Sequence, residues 1–234
     1  MVGKRIVTFS FDDGVTQDIR FVEVLNKYGL KCTFNLNSEL LGNPGELIIN
    51  GNRINHNKIN SEDVRSVYSG HEIAAHTLTH PFLPDCVPEE VVRQVEEDRL
   101  KLSILAGYEV VGFAYPGGGK NYNEAVAGLI KEQTAVKYAR TIESNFSFEK
   151  QADLYVFKPT LSLTKNRDKA EALVNDFFSD ASDDDKLLYI WGHSYEFDVD
   201  DSWDYLEAFC EKISGRAGVL YLTNKDAFLC LGDL

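Results

Sequence analysis

The feature that most constrains this chain is a regular alternation of short apolar runs with longer segments of helical spacing. Residues 6–11, 32–36 and 187–191 are short apolar runs bounded by turn residues, which is typical of buried strands. Segments 17–28 and 88–106 instead repeat apolar residues at the three- and four-residue spacing of an amphipathic helix. Strands that alternate with helices form parallel βα units, so the sequence predicts an α/β fold.

One segment departs from this alternation. Residues 46–54 place Asn50-Gly51 between two apolar runs, a strong signal for a hairpin with a type I′ turn. We therefore predict a hairpin excursion after the second strand. No internal repeat or low-complexity linker divides the chain, so residues 1–234 are expected to form one catalytic domain. Further strands are predicted at 72–75, 110–115, 137–141 and 219–222, and further helices at 61–68 (capped by Ser61), 123–131, 169–178, 203–213 and after 222.

Composition excludes several classes of partner. The formal net charge of −13 repels phosphate backbones, so nucleic acid is not an expected partner. The sequence has no apolar run long enough to span a membrane, and its first residues lack the core of a signal peptide. We therefore expect a cytoplasmic protein. The four cysteines form no C-x-x-C pair and no disulfide framework. The oligomeric state is left open.

Five polar residues stand where predicted strands end. Asp12 and Asp13 follow the first strand, His76 and His80 follow the strand at 72–75, and His193 follows the run at 187–191. In parallel α/β folds the carboxyl ends of the strands converge on the functional site. These side chains are therefore expected to meet.

Their types and spacing favour a metal site. Two histidines four residues apart fall on one face of a helical turn and can reach the same ion. A catalytic zinc site needs a third protein ligand, which one of the two aspartates would supply, and one open position. Imidazole also suits cobalt and nickel. Taken singly, the histidine pair could serve in capping or the core and Asp-Asp-Gly could be a plain turn, but their joint occurrence favours the metal.

A glycine-rich loop follows the strand at 110–115. Residues 116–119 resemble a phosphate-binding loop, but Ala114 and Asn121 stand where that motif requires glycine and serine or threonine. We therefore reject a nucleotide site. The loop could still present backbone N–H groups to an oxyanion, or it could simply turn the chain from strand to helix.

At these residues the chain resembles the polysaccharide deacetylase family, also called the NodB-homology domain. Residues 10–14, Ser-Phe-Asp-Asp-Gly, look like the first family motif, [TS]-F-D-D-G. Residues 76–80, His-Thr-Leu-Thr-His, look like the second, H-[ST]-x-x-H. Residues 113–118 look like a form of the third, R-x-P-[YF]-G, and residues 188–193 resemble the last, which carries a histidine near a strand end.

The resemblance implies a distorted (β/α) barrel, which we expect to have seven strands. It also implies the roles of the five polar residues. Asp13, His76 and His80 match the ligands of one divalent metal, for which we expect zinc, with cobalt or nickel as alternatives. Asp12 matches the catalytic base and His193 the catalytic acid.

The third and fourth motifs depart from the family pattern. The arginine that pairs with the catalytic aspartate in the family is replaced by Ala114, and the fourth motif is not recognisable. Arg140 lies roughly where that motif belongs and could supply the missing cation, although a structural or surface role would explain it equally well. Tyr115, Pro116 and Gly117 are expected to bind substrate or its oxyanion.

The resemblance therefore implies a metal-dependent hydrolase that removes N-acetyl groups from a sugar or oligosaccharide, with a carbohydrate as partner. Two alternatives stay open: a metal amidohydrolase acting on a small non-sugar amide, and a carbohydrate-binding relic without activity. Retention of Asp12 and His193 argues against the relic. The hairpin and the aromatic pair Tyr195 and Phe197 could shape the substrate site, while ordinary core packing would explain the aromatic pair equally well.

Overall fold

The structure, a computed structural model, describes residues 3–230 and is built around a curled parallel sheet. Seven strands follow the order β7-β6-β5-β2-β1-β9-β8, and β10 pairs beside them with the first residues of β1. β3 and β4 form a separate antiparallel pair. The strands are β1 Arg5–Asp12, β2 Cys32–Leu36, β3 Glu46–Ile49, β4 Asn52–Asn55, β5 Glu72–Ala75, β6 Gly112–Ala114, β7 Tyr138–Arg140, β8 Leu161–Ser162, β9 Lys186–Gly192 and β10 Val219–Tyr221.

Helices cover the outer face of this sheet. They are α1 Asp18–Lys27, α2 Val64–Val67, α3 Pro88–Ala106, α4 Glu124–Gln133, α5 Arg167–Ser179, α6 Glu196–Val199, α7 Trp203–Ile213 and α8 Asn224–Cys230, with 3-10 turns at Ser61–Asp63, Leu83–Asp85 and Leu154–Val156. None of the helices within residues 3–230 has both the length and the apolar character needed to cross a bilayer.

Side chains alternate across the sheet, as the two-residue period of a strand requires. Along β1, Val7, Phe9 and Phe11 belong to the main hydrophobic cluster that the helices cover. The residues between them point the other way: Thr8 bonds to Asn224 and Ser10 accepts from Asn35. The outer face of β1 is therefore apolar, whereas its inner face carries polar side chains at Thr8 and Ser10 and contributes Ile6 to a second, smaller hydrophobic cluster.

The sheet curls into a barrel, and an irregular segment around Phe157 helps to close it. β7 and β8 are the two ends of the seven-strand path. Between them, Phe157 donates its N–H to Ala139 in β7 and accepts from Thr141, and four residues later the chain enters β8. This arrangement confirms the predicted distorted (β/α) barrel, with seven strands in its hydrogen-bonded path.

The predicted elements match the structure where the pattern is long. The hairpin is confirmed, because Asn50 and Gly51 have φ of 53° and 80°, the two positive values that a type I′ turn requires. Ser61 is not a cap, since Asn60 precedes the first turn and Ser61 lies inside it. β8 was not predicted, because two residues carry no detectable period. The assignment of residues 1–234 to one domain stays a prediction.

Candidate active site

A cleft of about 580 Å³ opens at the carboxyl ends of the central strands. It lies where β1, β5, β6 and β9 end, and the hairpin excursion forms one of its walls. Every metal-ligand and acid–base candidate from the sequence lines it. The lining residues are Asp12, Asp13, Leu40, Asn43, Pro44, Gly45, Leu47, His56, Lys58, His76, His80, Tyr115, Gly117, Gly118, Ile142, Lys165, Trp191, His193 and Tyr195.

The two adjacent aspartates both reach this cleft because the chain turns sharply between them. Asp12 is the last residue of β1, and Asp13 takes a φ of 83°, in the left-handed region. Gly14 follows with φ of 61°, and a Cβ there would lie 2.7 Å from the Leu36 side chain. The Asp13 N–H donates to the Asn35 carbonyl oxygen at 3.0 Å, which ties the turn to β2.

His76 and His80 converge on Asp13. Their Nε2 atoms lie 3.9 and 3.7 Å from Asp13 Oδ1, and one ligand atom from each of the three residues lies within 4.8 Å of the others. The predicted helical turn is wrong, because Thr77 and His80 have positive φ values that an α-helix does not allow. A loop after β5 brings the two rings together instead.

His76 is held as a neutral imidazole. Its Nδ1–H donates to the Ala114 carbonyl oxygen at 2.8 Å, so its Nε2 carries the free lone pair that faces Asp13. Burial lowers the pKa of His76 to about 4, so the ring is uncharged at neutral pH. Its backbone N–H donates to Asp98 Oδ2 at 2.9 Å, and Asp98 Oδ1 accepts from Ser38, so α3 fixes the ends of two strands.

Asp12 is held as an anion by Arg140. The Arg140 side chain is fully buried, and its Nη2 donates to both carboxylate oxygens, at 2.5 Å for Oδ2. Asn35 Nδ2 adds a bond to Oδ1 at 2.8 Å. Burial by itself would raise the pKa of Asp12, but Arg140, His76 and His193 outweigh it and lower that pKa below the usual value. The cation absent at Ala114 is thus supplied to Asp12 from β7.

Asp13 has partners that the sequence did not reveal. Its Oδ2 accepts from His56 Nε2 at 3.2 Å, and Lys58 Nζ lies 3.7 Å from Oδ1. Burial opposes the charge, yet the His56 hydrogen bond and the Lys58 ammonium hold the pKa of Asp13 well below its usual range. Both partners follow the hairpin, 43 and 45 residues along the chain, so only the tertiary fold could show them.

His193 faces both aspartates and is backed by a carboxylate. Its Nε2 lies 4.0 Å from Asp12 Oδ2 and 3.9 Å from Asp13 Oδ2, and its Nδ1 lies 3.3 Å from Glu196 Oε1. Burial disfavours the imidazolium, but Glu196 and then the two aspartates raise the pKa of His193 above its ordinary value. Tyr195 packs its ring 5.0 Å from that of His193.

The glycine-rich loop reaches the cleft only in part. Tyr115 and Gly117 line it, and Gly117 has a φ of 89°. Pro116 is buried and is not among the lining residues, so the structure gives no support for its expected contact with substrate. A Cβ on Gly117 would lie 3.1 Å from the Phe82 ring, so the loop passes close beneath that side chain.

Comparison with known proteins assigns the chain to a family. The family model described as polysaccharide deacetylase matches residues 1–137, more than half of the sequence. The chain belongs to the polysaccharide deacetylase family. The match includes the residues of the first three motifs, from the aspartate pair to the glycine-rich loop.

Individual relatives agree with this membership. A chitooligosaccharide deacetylase of Rhizobium leguminosarum bv. phaseoli is 29% identical over 136 residues, which cover 56% of this chain and 48% of that protein. The chain thus spans about half the length of this curated deacetylase relative. A peptidoglycan N-acetylglucosamine deacetylase superposes with a TM-score of 0.58 at 17% identity, covering 98% and 90% of the two chains. A family 4 carbohydrate esterase from Streptomyces lividans gives 0.56 at 12%, covering 94% and 92%.

The site of this member of the polysaccharide deacetylase family contains polar residues that sequence reasoning missed. His56, Lys58 and Glu196 contact candidate residues directly. Glu196 could have been found, because three residues after His193 is a spacing at which side chains meet within one helical turn. No local pattern marks the other two.

Proposed function

We propose that this chain is a metal-dependent hydrolase that removes N-acetyl groups from an N-acetylated sugar or oligosaccharide. The observation that carries the proposal is the convergence of Asp13, His76 and His80 beside Asp12 and His193 at the floor of one cleft. Membership of the deacetylase family supports the reaction class.

The donor set suits a divalent metal. One carboxylate and two imidazoles are the ligands of many catalytic zinc sites, and they leave a position open for substrate. The neutral state of His76 and the ionised state of Asp13 are the forms that bind metal. We expect about one equivalent per chain, zinc by preference, with cobalt and nickel as alternatives. When bound, the metal would supply a Lewis acid that polarises the acetyl carbonyl.

The remaining residues can handle the protons of amide hydrolysis. Asp12 accepts a proton from the attacking water, and Arg140 keeps the carboxylate ionised and oriented. His193, with its raised pKa, donates a proton to the leaving nitrogen. The Gly117 N–H is the candidate donor to the oxyanion. The products are acetate and a free amine.

The shape of the cleft favours a sugar substrate. Its volume is that of a typical small-molecule site, and the half-buried Tyr195 provides aromatic surface of the kind that packs on pyranose rings. The relative named chitooligosaccharide deacetylase supports the same substrate class. A small non-sugar amide is the alternative substrate, and a carbohydrate-binding relic is the alternative to activity.

An acetate-release screen tests the proposal. Metal-free protein is reconstituted with zinc, cobalt or nickel and assayed on chitooligosaccharides, N-acetyl monosaccharides and simple N-acetyl amides. We expect acetate from the sugars only when metal is present, and none from a His76→Ala control. Release from simple amides alone would favour the amidohydrolase. Sugar binding without acetate release under any metal would favour the relic.

A further inference from the structure

The chain returning from the β3–β4 hairpin packs against the turn after β1. We name residues 55–59 the return segment. Thr16 donates its N–H to the Asn57 carbonyl oxygen at 2.9 Å, and Ile59 donates to the Gly14 carbonyl oxygen at 2.9 Å. These main-chain bonds fix the position of the return segment relative to the carboxyl end of β1.

Two side chains of the return segment then reach Asp13. Lys58 Nζ donates to the Asp13 carbonyl oxygen at 2.8 Å, and His56 Nε2 donates to Asp13 Oδ2 at 3.2 Å. Asp13 needs such support, because the left-handed backbone region is unfavourable for residues other than glycine. One bond holds its main chain and the other holds its carboxylate.

The two oxygens of Asp13 have different surroundings. Oδ1 is the oxygen nearer to His76 and His80, at 3.9 and 3.7 Å from their Nε2 atoms. Oδ2 is the oxygen that His56 engages. We propose that His56 is a positioning residue for the metal site: its hydrogen bond occupies Oδ2 and directs Oδ1 towards the ion. This inference rests on the proposed metal dependence.

Packing keeps the His56 ring in place for this task. Its ring meets the Tyr195 ring edge to face, with centroids 5.0 Å apart and an interplanar angle of 79°. Among the described residues, the compact set that could hold an ion contains Asp13, His76 and His80 but not His56. His56 therefore contacts a ligand rather than forming part of the ligand set. Residues that orient ligands in this way typically contribute about 10–100-fold to metal affinity.

The experiment measures affinity of the metal-free protein for Zn²⁺ and for Co²⁺ by competition with a chromophoric chelator. We expect His56→Ala to bind both ions about 10–100-fold more weakly than the unaltered protein. His56→Gln should recover most of that loss, because an amide N–H can donate to the same oxygen. His71→Gln is the matched control: His71 is buried outside the cleft, where it bonds to Cys32 and Asn26, and its loss should leave affinity unchanged.

Several outcomes would overturn the inference. Unchanged affinity in His56→Ala would show that Asp13 needs no partner on Oδ2. Loss in both His56 variants as severe as in His76→Ala would make His56 a direct ligand. If the unaltered protein binds neither ion, the proposed metal site itself fails, and that result is distinct from the other two. Thermal unfolding of each metal-free variant verifies that the fold is retained.

Discussion

The two ends of the barrel bury carboxyl groups whose pKa values are shifted in opposite directions. At the amino end, Glu72 accepts from the Thr33 hydroxyl, the Tyr138 hydroxyl and the Lys225 N–H. Burial dominates there and raises the pKa of Glu72. At the carboxyl end, Asp12 is equally buried, but the Arg140 guanidinium and two imidazoles outweigh burial and lower its pKa.

The difference follows from what closes each end. Helix α8 fills the amino end: Asn224 bonds to Thr8 and Tyr189, and Phe228 stacks on Phe157 at 4.3 Å. The groups that donate to Glu72 at this end are two hydroxyls and a backbone N–H, all uncharged. The carboxyl end opens into the cleft, where Arg140 pairs with Asp12 and where His56 and Lys58 lie beside Asp13. We infer that the amino end serves stability and the carboxyl end serves binding and chemistry.

The largest expected effects come from neutralising the two aspartates separately. Asp13→Asn should lose most metal affinity, because an amide oxygen replaces an anionic ligand. Asp12→Asn should keep the metal but lose turnover by about 10²–10⁴-fold, because an amide cannot accept the proton. Metal titration and acetate release are measured on both variants, with circular dichroism to verify folding.

Equal metal loss in the two variants would make Asp12 a ligand as well. Our division of the two adjacent carboxylates into base and ligand would then be wrong. Full turnover in Asp12→Asn would show that Asp12 is not the general base.

The second-largest expected effect is a loss of folding stability when the packing at the amino end of the barrel is removed. Phe228 is 2% exposed, and Phe228→Ala should lower the free energy of unfolding by about 3–5 kcal/mol, the usual cost of emptying a buried phenylalanine site. Urea unfolding measures this loss. Metal affinity of the folded protein should not change. A parallel loss of metal affinity would show that the two ends are coupled and would break the comparison.

A smaller effect is expected from removing the charge of Glu196, which lies beside the candidate acid His193. Glu196 stays ionised, since its pKa is about 2 after His193, Thr164 and Lys165 outweigh burial. It raises the pKa of His193, and a general acid is active only while protonated. Glu196→Gln should therefore move the alkaline limb of kcat/KM to lower pH. Glu196→Asp should restore part of the shift, and an unmoved limb in Glu196→Gln would leave Glu196 a structural role.

Sequence reasoning reached the long elements and the motif residues, and it failed where tertiary contacts decide. Helix α3 begins at Pro88 and stops before Gly107, as its local signals predict. The run at residues 6–11 is buried throughout, as its apolar character predicts. Its alternate polar residues, Thr8 and Ser10, mark an inward face that the apolar pattern alone does not separate from the outer face.

The site shows the same limit. Asp12, Asp13, His76, His80 and His193 lie together as their positions at strand ends predicted. For Arg140 the sequence leaves two interpretations open, a cation beside Asp12 or a structural or surface role, and only the fold shows the contact with Asp12. His56 depends on the path of a hairpin excursion, for which the sequence gives the turn but not the docking.

The smallest effect concerns how stability depends on pH through Glu72. Because burial raises its pKa above 4.5 in the folded protein, the folded state binds more protons than the unfolded chain as pH rises above that value. The free energy of unfolding of the unaltered protein therefore falls with pH through this group, until pH passes the folded-state pKa. Glu72→Gln cannot titrate and should lack that decline, so the variant should gain relative stability between acid and neutral pH. Urea unfolding across that window measures the difference, with the exposed Glu62→Gln as control. The opposite result would be a stability of the unaltered protein that rises with pH relative to Glu72→Gln. The uncharged donors would then be stabilising the ionised carboxylate, and the two ends of the barrel would not differ as we infer.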